Sequence, residues 1–135
     1  MTSLYPFIMA TAKMPLKHPN VLVGPPSHFD YSSYKYFGLI QCKLYPPRRL
    51  FIPILPCRVK VGQSQKLMFI LCRTCAETRQ QTRCEHADEE RAIEGTWCSE
   101  EVYEAQKSGY RIVSITGVWD YENRFRHGMF IFVTI

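Results

Sequence analysis

The stretch Ser99-Glu-Glu-Val-Tyr-Glu-Ala-Gln-Lys-Ser-Gly109-Tyr-Arg-Ile-Val-Ser-Ile-Thr-Gly-Val-Trp-Asp-Tyr-Glu122 decides the fold class. It reads as a helix, a glycine stop and a long strand. Ser99 is a candidate N-cap, and Glu100 and Glu101 suit the positive end of the helix dipole. The helix is expected to end near Lys107, with Gly109 as its C-terminal stop. Residues 110–122 then alternate as a strand. This places Val113, Ile115, Trp119 and Tyr121 on one face, with Gly117 as a candidate bulge.

Upstream, residues 36–45 read as a second strand, with Ile40, Cys42 and Leu44 on one face and Gln41 and Lys43 on the other. Pro46-Pro47-Arg48-Arg49 forces a turn. Residues 50–60 read as extended, and Pro53 and Pro56 place them at a sheet edge, because each proline removes a ladder donor. Residues 66–71 form a short apolar strand and residues 88–93 a short helix. Pro15, Pro19, Pro25 and Pro26 make residues 13–35 loop-like. No internal repeat or low-complexity segment stands out. Antiparallel strands with two short helices define an α+β fold.

A chain of 135 residues suits one domain at most. The hydrophobic share of 46% and charged share of 21% belong to a globular chain rather than a disordered one. The net charge of +5 fits a nucleic-acid partner without requiring one. No apolar run approaches the roughly 20 residues that cross a bilayer, so no membrane partner is expected. The N-terminus lacks a basic n-region and a long apolar core, so an intracellular rather than a secreted chain is expected. In that setting a C-x-x-C pair among six cysteines reads as metal-binding or redox-active rather than disulfide-forming.

The pair is Cys72-x-x-Cys75, and Cys84-x-His86 follows after eight intervening residues. C-x-x-C lets two thiolates meet one ion from a tight turn, and Cys84 and His86 close a tetrahedron from the other side. Three sulfurs and one imidazole suit structural Zn²⁺ with no open position for catalysis. Arg73, Arg79 and Arg83 could offset the charge of the site. The alternative is a reduced, unliganded cluster or a simple thiol pair. Cys42, Cys57 and Cys98 read as buried structural thiols, and Trp97 and Trp119 as core anchors. His18 reads as solvated or locally bonded, and His28 and His127 have no ligand pattern. Arg48 and Arg49 are candidates for DNA-backbone contact, a solvated turn being the other reading. No Ser/His/Asp arrangement, glycine-rich phosphate loop or acid/base carboxylate pair stands out.

Five segments, in this order, resemble protein-primed family B DNA polymerases of the organellar, viral and Maverick/Polinton-transposon kind. They are Thr2-Ser-Leu-Tyr-Pro-Phe-Ile-Met-Ala-Thr-Ala-Lys-Met-Pro-Leu-Lys-His-Pro19, Gly38-Leu-Ile-Gln-Cys-Lys-Leu-Tyr-Pro-Pro47, Leu71-Cys-Arg-Thr-Cys-Ala-Glu77, Glu94-Gly-Thr-Trp-Cys-Ser-Glu-Glu101 and residues 109–122. The resemblance implies a partial polymerase palm: an antiparallel sheet with short helices and a Cys/His-bearing insertion. Residues 1–35 would hold the first palm motif and a Pro-rich loop. Residues 36–124 would hold the palm sheet with the inserted Cys/His subdomain at 72–87, and residues 125–135 a tail outside the resemblance.

The family motif reads D-x-x-S-L-Y-P. Carried over, Leu4 would offer backbone contact to a nucleotide and Tyr5 would lie under the sugar; the plain alternative is that both are core residues. The implied partners are DNA, dNTP and a terminal protein primer, with Mg²⁺ needed by the parent polymerase. The motif's Asp would fall before Met1, and the K-x-x-x-N-S-x-Y-G and D-T-D-S segments are absent. The three aspartates, Asp30, Asp88 and Asp120, lie in no matching context. The chain is therefore expected to be a polymerase fragment, inactive alone. Two other readings stay open: a stand-alone zinc-stabilised module that binds nucleic acid or protein, left by a decayed mobile element, and a truncated reading frame.

Overall fold

The computed structural model describes residues 4–31, 35–122 and 124–126. Its elements run α1 (Leu4–Thr11), β1 (Lys13–Pro15), β2 (Asn20–Val23), β3 (Gly38–Tyr45), β4 (Pro56–Val61), β5 (Ser64–Phe69), α2 (Arg73–Thr78), α3 (Asp88–Arg91), β6 (Ile93–Cys98), α4 (Ser99–Lys107), β7 (Arg111–Asp120) and β8 (Arg124–Arg126). The main sheet has the order β2-β7-β3-β6, with every pairing antiparallel. Two further antiparallel pairs, β1 with β8 and β4 with β5, stand outside it. This is the α+β class expected from the sequence.

Strand β3 behaves as its alternation predicts. Ile40, Cys42 and Leu44 are buried, while Gln41 and Lys43 face outward. Helix α4 lies against β3 and β6 and buries Val102, Tyr103 and Ala105. Val102, fully buried, contributes on the order of 1.5–3 kcal/mol. The Tyr103 hydroxyl closes the far end. It accepts from the Tyr36 amide and donates to the Tyr36 carbonyl, both at 2.8 Å.

Strand β7 departs from simple alternation. Its pairing with β3 slips between Gln41 and Cys42 and again between Lys43 and Leu44, so Thr116 and Val113 have no partner in the register. Each extra residue flips the side-chain parity. The inward positions of β7 are therefore Val118, Ile115 and the half-buried Ile112. Trp119 is 49% exposed and Val113 38% exposed, so neither is the core residue that alternation suggested. Trp97 does anchor the core: it is buried, and its indole N–H donates to the Pro56 carbonyl at 2.7 Å. That bond ties the β4–β5 hairpin to the sheet, and both share one hydrophobic core.

Other differences have local causes. The residues expected to be all loop contain β1 and β2, each pairing with a single partner strand, where flanking prolines are tolerated. Pro53 precedes the hairpin, and Pro56 opens β4, where its missing N–H costs least. Strand β5 starts at Ser64, and Ile70 and Leu71 lie beyond its end. The N-cap of α4 is Cys98, not Ser99: the Glu101 carboxylate accepts the Cys98 amide at 3.0 Å. Ser99 is buried, and its hydroxyl accepts the Gly38 amide at 3.1 Å instead. Gly109, at φ +97°, follows the helix as its stop signal implied, with its amide on the Gln106 carbonyl. Cys42 and Cys57 are buried as expected, and burial pushes the Cys42 thiol up to about 12. Cys98, at the strand-to-helix junction, is exposed. His127 and the final residues of the expected tail lie outside the described residues.

Candidate metal centre

The Cys/His segment is built from the N-terminus of α2. Cys72 is the N-cap of that helix, and its sulfur accepts the Cys75 amide at 3.4 Å. One helical turn brings the Cys75 sulfur to the same side. Arg79 ends the helix in the left-handed region, at φ 54° and ψ 37°, which reverses the chain. The Gln80 side chain then bridges Thr82 and Arg83 at 3.1 Å each, which sets the approach of Cys84.

The result is a closed group. The ligand atoms of Cys72, Cys75, Cys84 and His86 all lie within 4.8 Å of one another. His86 turns one ring nitrogen, Nδ1, to all three sulfurs, at 3.6, 3.3 and 3.5 Å from Cys72, Cys75 and Cys84. A tetrahedral ion with Zn–S near 2.3 Å and Zn–N near 2.05 Å requires sulfur and nitrogen about 3.6 Å apart. The donor set and spacing thus fit a metal ion and are compatible with structural zinc. Cys72 is buried and the other three ligands are half-buried. Among the described residues this is the one group of three or more His, Cys, Asp or Glu side chains placed to hold a metal.

The thiols do not ionise alike. Burial, reinforced by bonds to Cys72 and Cys84, pushes the Cys75 thiol up to about 12. Burial acts the same way on Cys84, but hydrogen bonds to His86, Cys75 and Cys72 outweigh it and bring that thiol down to about 6. A divalent cation supplies the charge that lets all three ionise together.

The segment is pinned to the sheet by contacts that no sequence motif announces, and they draw in Arg48, a residue expected to touch DNA. The Asp88 carboxylate accepts from Arg48 at 3.2 Å, Arg91 at 3.4 Å and Arg111 at 2.5 Å. Arg91 is 3% exposed, and its guanidinium also donates to the Pro47 and Leu71 carbonyls at 3.0 and 3.1 Å. Thr74 links α2 to α3 through the Glu90 carbonyl at 2.7 Å. Glu89 accepts from Lys43 at 2.9 Å and from the Tyr45 hydroxyl.

The other candidates fall in separate places. Arg48 reaches the metal segment: its guanidinium donates to the His86 carbonyl at 3.1 Å. Arg49 is exposed beside it. Arg73 pairs with Glu77 at 3.0 Å. Leu4 and Tyr5 open α1 and are 68% and 80% exposed, which is not the environment of core residues. Ser3, before them, lies outside the described residues. Among the described residues helix α1 makes no extensive contact with another element.

An antiparallel sheet carrying a three-thiol, one-imidazole group defines a metal-competent α+β protein. The family model described as organellar and viral type B DNA polymerase matches residues 1–126, and the chain belongs to that family. No curated protein and no solved structure matches it. Membership implies DNA as a partner. None of the described helices is long and apolar enough to cross a membrane.

Proposed function

We infer that the chain supplies a zinc-stabilised part of the palm of a type B DNA polymerase, contacting DNA and the incoming dNTP without completing catalysis by itself. The observation that carries the metal part is the convergence of three thiols on His86 Nδ1 at 3.3–3.6 Å. In this reading residues 1–35 carry the first palm motif, residues 36–124 the sheet with its inserted subdomain at 72–87, and residues 125–135 a tail, of which the family match reaches only residue 126. Leu4 and Tyr5 meet the nucleotide, an assignment favoured by their exposure at the start of α1. Arg49, exposed at the turn after β3, contacts the DNA backbone, with Arg48 beside it as a second phosphate contact even though Asp88 and the His86 carbonyl also hold its guanidinium. A terminal protein that primes synthesis is the corresponding protein partner.

Polymerisation needs carboxylates free to hold two divalent ions. Each aspartate here already has a structural partner. Asp30 holds Lys35 at 3.1 Å, Asp88 holds three arginines, and Asp120 accepts the Phe37 amide at 2.8 Å. The 135-residue chain is therefore expected to bind about one zinc and to show no primer extension with Mg²⁺ or Mn²⁺. Metal analysis after anaerobic purification and an extension assay on a primed template test this. Less than about half a zinc per chain removes the metal centre, and robust extension removes the inactivity. A second reading, a self-contained zinc module retained from a mobile element, is favoured by the closed ligand set. Salt-sensitive DNA binding by the isolated chain would support it.

A further inference from the structure

The β4–β5 hairpin buries one face and presents the other. Cys57, Val59 and Val61 point into the core. The register sets Arg58 opposite Leu67, Lys60 opposite Gln65 and Pro56 opposite Phe69 on the outer face. An antiparallel ribbon normally shows water a polar face. This one shows Leu67 at 66% exposure and Phe69 at 59%, beside two cations. Neither the Arg58 nor the Lys60 side chain pairs with a described residue.

The charge of the chain concentrates around this ribbon. Residues 56–83 hold six Lys or Arg and one acid, Glu77, a formal surplus of five cations before the thiols at the metal site are counted, against +5 for all 135 residues. Glu77 is held by Arg73. The nearest acid on the neighbouring strand is Glu94, at the rim of the groove shared with Arg58, Leu67 and Trp97, and it faces Lys43 at 3.9 Å.

We propose that the outer face of this hairpin binds a single strand of nucleic acid, with phosphates on Arg58 and Lys60 and bases against Phe69 and Leu67. Arg58 and Lys60, two residues apart on one strand, have Cα atoms about 6.8 Å apart and project along one line that a sugar-phosphate backbone can follow. An exposed ring and an exposed aliphatic chain beside that line form the platform on which unpaired bases stack without sequence preference. An acidic peptide would use the cations but gives no reason for Phe69 and Leu67 to face water. The inference rests on the DNA-contacting reading above and adds a surface distinct from the Arg48–Arg49 turn.

The test uses the full zinc-loaded chain and a fluorescein-labelled oligothymidine, with anisotropy measured over a salt series. Arg58→Glu/Lys60→Glu should weaken binding at low salt by about tenfold or more, and flatten the log–log salt slope by about 0.7 for each lost phosphate contact. Phe69→Ala should weaken binding about fivefold or more with the slope unchanged. Lys35→Glu/Lys107→Glu removes the same charge elsewhere and should cost less than about twofold. Zinc content and circular dichroism report whether each variant is folded. Equal weakening by the two double variants, or wild-type binding by a folded hairpin variant, overturns the proposal. So does tighter binding of polyglutamate than of oligothymidine to the same face. Those outcomes leave the metal centre standing, whereas missing zinc with normal oligothymidine binding would strike the metal centre and spare the hairpin.

Discussion

Gly38 opens β3 at φ +152°, and a Cβ there would sit 2.0 Å from the Trp119 carbonyl oxygen and 2.8 Å from the Tyr121 ring. The Trp119 carbonyl cannot yield without β7 leaving β3, and the displaced Gly38 amide would also leave the Ser99 hydroxyl. Gly38→Ala is therefore expected to cost on the order of 3 kcal/mol or more, combining an unfavourable backbone region with a steric clash. Denaturant unfolding measures it, and a loss below about 1 kcal/mol would show that the β3–β7 pairing tolerates displacement. Ser99 illustrates what a single letter hides. Its type and position both suit an N-cap, and the next turn supplies the expected acids. The cap role nonetheless falls to Cys98, because the Glu101 carboxylate reaches that amide and the Ser99 hydroxyl is committed to a strand sixty residues away in the chain.

At the scale of elements, α2 and α3 are six and four residues long, far below the length at which a helix holds itself. Their order comes from contacts outside the backbone: the Cys/His group at one end and Asp88 at the other. Asp88 gathers guanidinium groups from the turn after β3, from α3 and from the first residue of β7. Asp88→Ala leaves the buried Arg91 without its carboxylate and loosens Arg48, which holds the His86 carbonyl. The expected cost is about 1–3 kcal/mol of stability, with about tenfold weaker zinc binding, because partners behind the ligands orient them. Competition with a zinc chelator reads the affinity, and an unchanged zinc affinity in a destabilised variant would confine Asp88 to packing. The four ligands were legible in the sequence because they fall within fifteen residues and their spacing alone suits one ion. Arg91 meets Asp88 as a local i,i+3 pair on α3, whereas Arg48 and Arg111 come from distant positions and only the sheet pairing brings them to the same carboxylate. No local pattern encodes that meeting.

At the scale of the molecule, strands β3 and β7 and helix α4 were readable because their periodicity and end signals agree. Residues 110–122 lost their phase where two bulges shift the register, and a bulge is set by the partner strand as much as by the strand itself. The sheet and the hairpin share one core, whereas Cys/His side chains and the polar loop between them lie mostly outside it. Metal removal should therefore separate the two. The residues 72–87 that surround the ligands lack enough apolar burial to stay ordered once three thiols and an imidazole lose their common partner. The sheet keeps Ile40, Leu44, Ile93, Ile115 and Val118 buried without any help from the metal. Chelation under reducing conditions is expected to abolish amide protection across α2 and the loop that follows, while β3 and β7 stay protected. Hydrogen exchange resolves the two regions. Simultaneous loss from β3 and β7 would mean that the metal holds the sheet as well, through the Asp88 contacts at the end of β3 and the start of β7. In that case the subdomain would be a keystone of the fold, and Asp88→Ala in the metal-bound chain would be expected to expose the same strands.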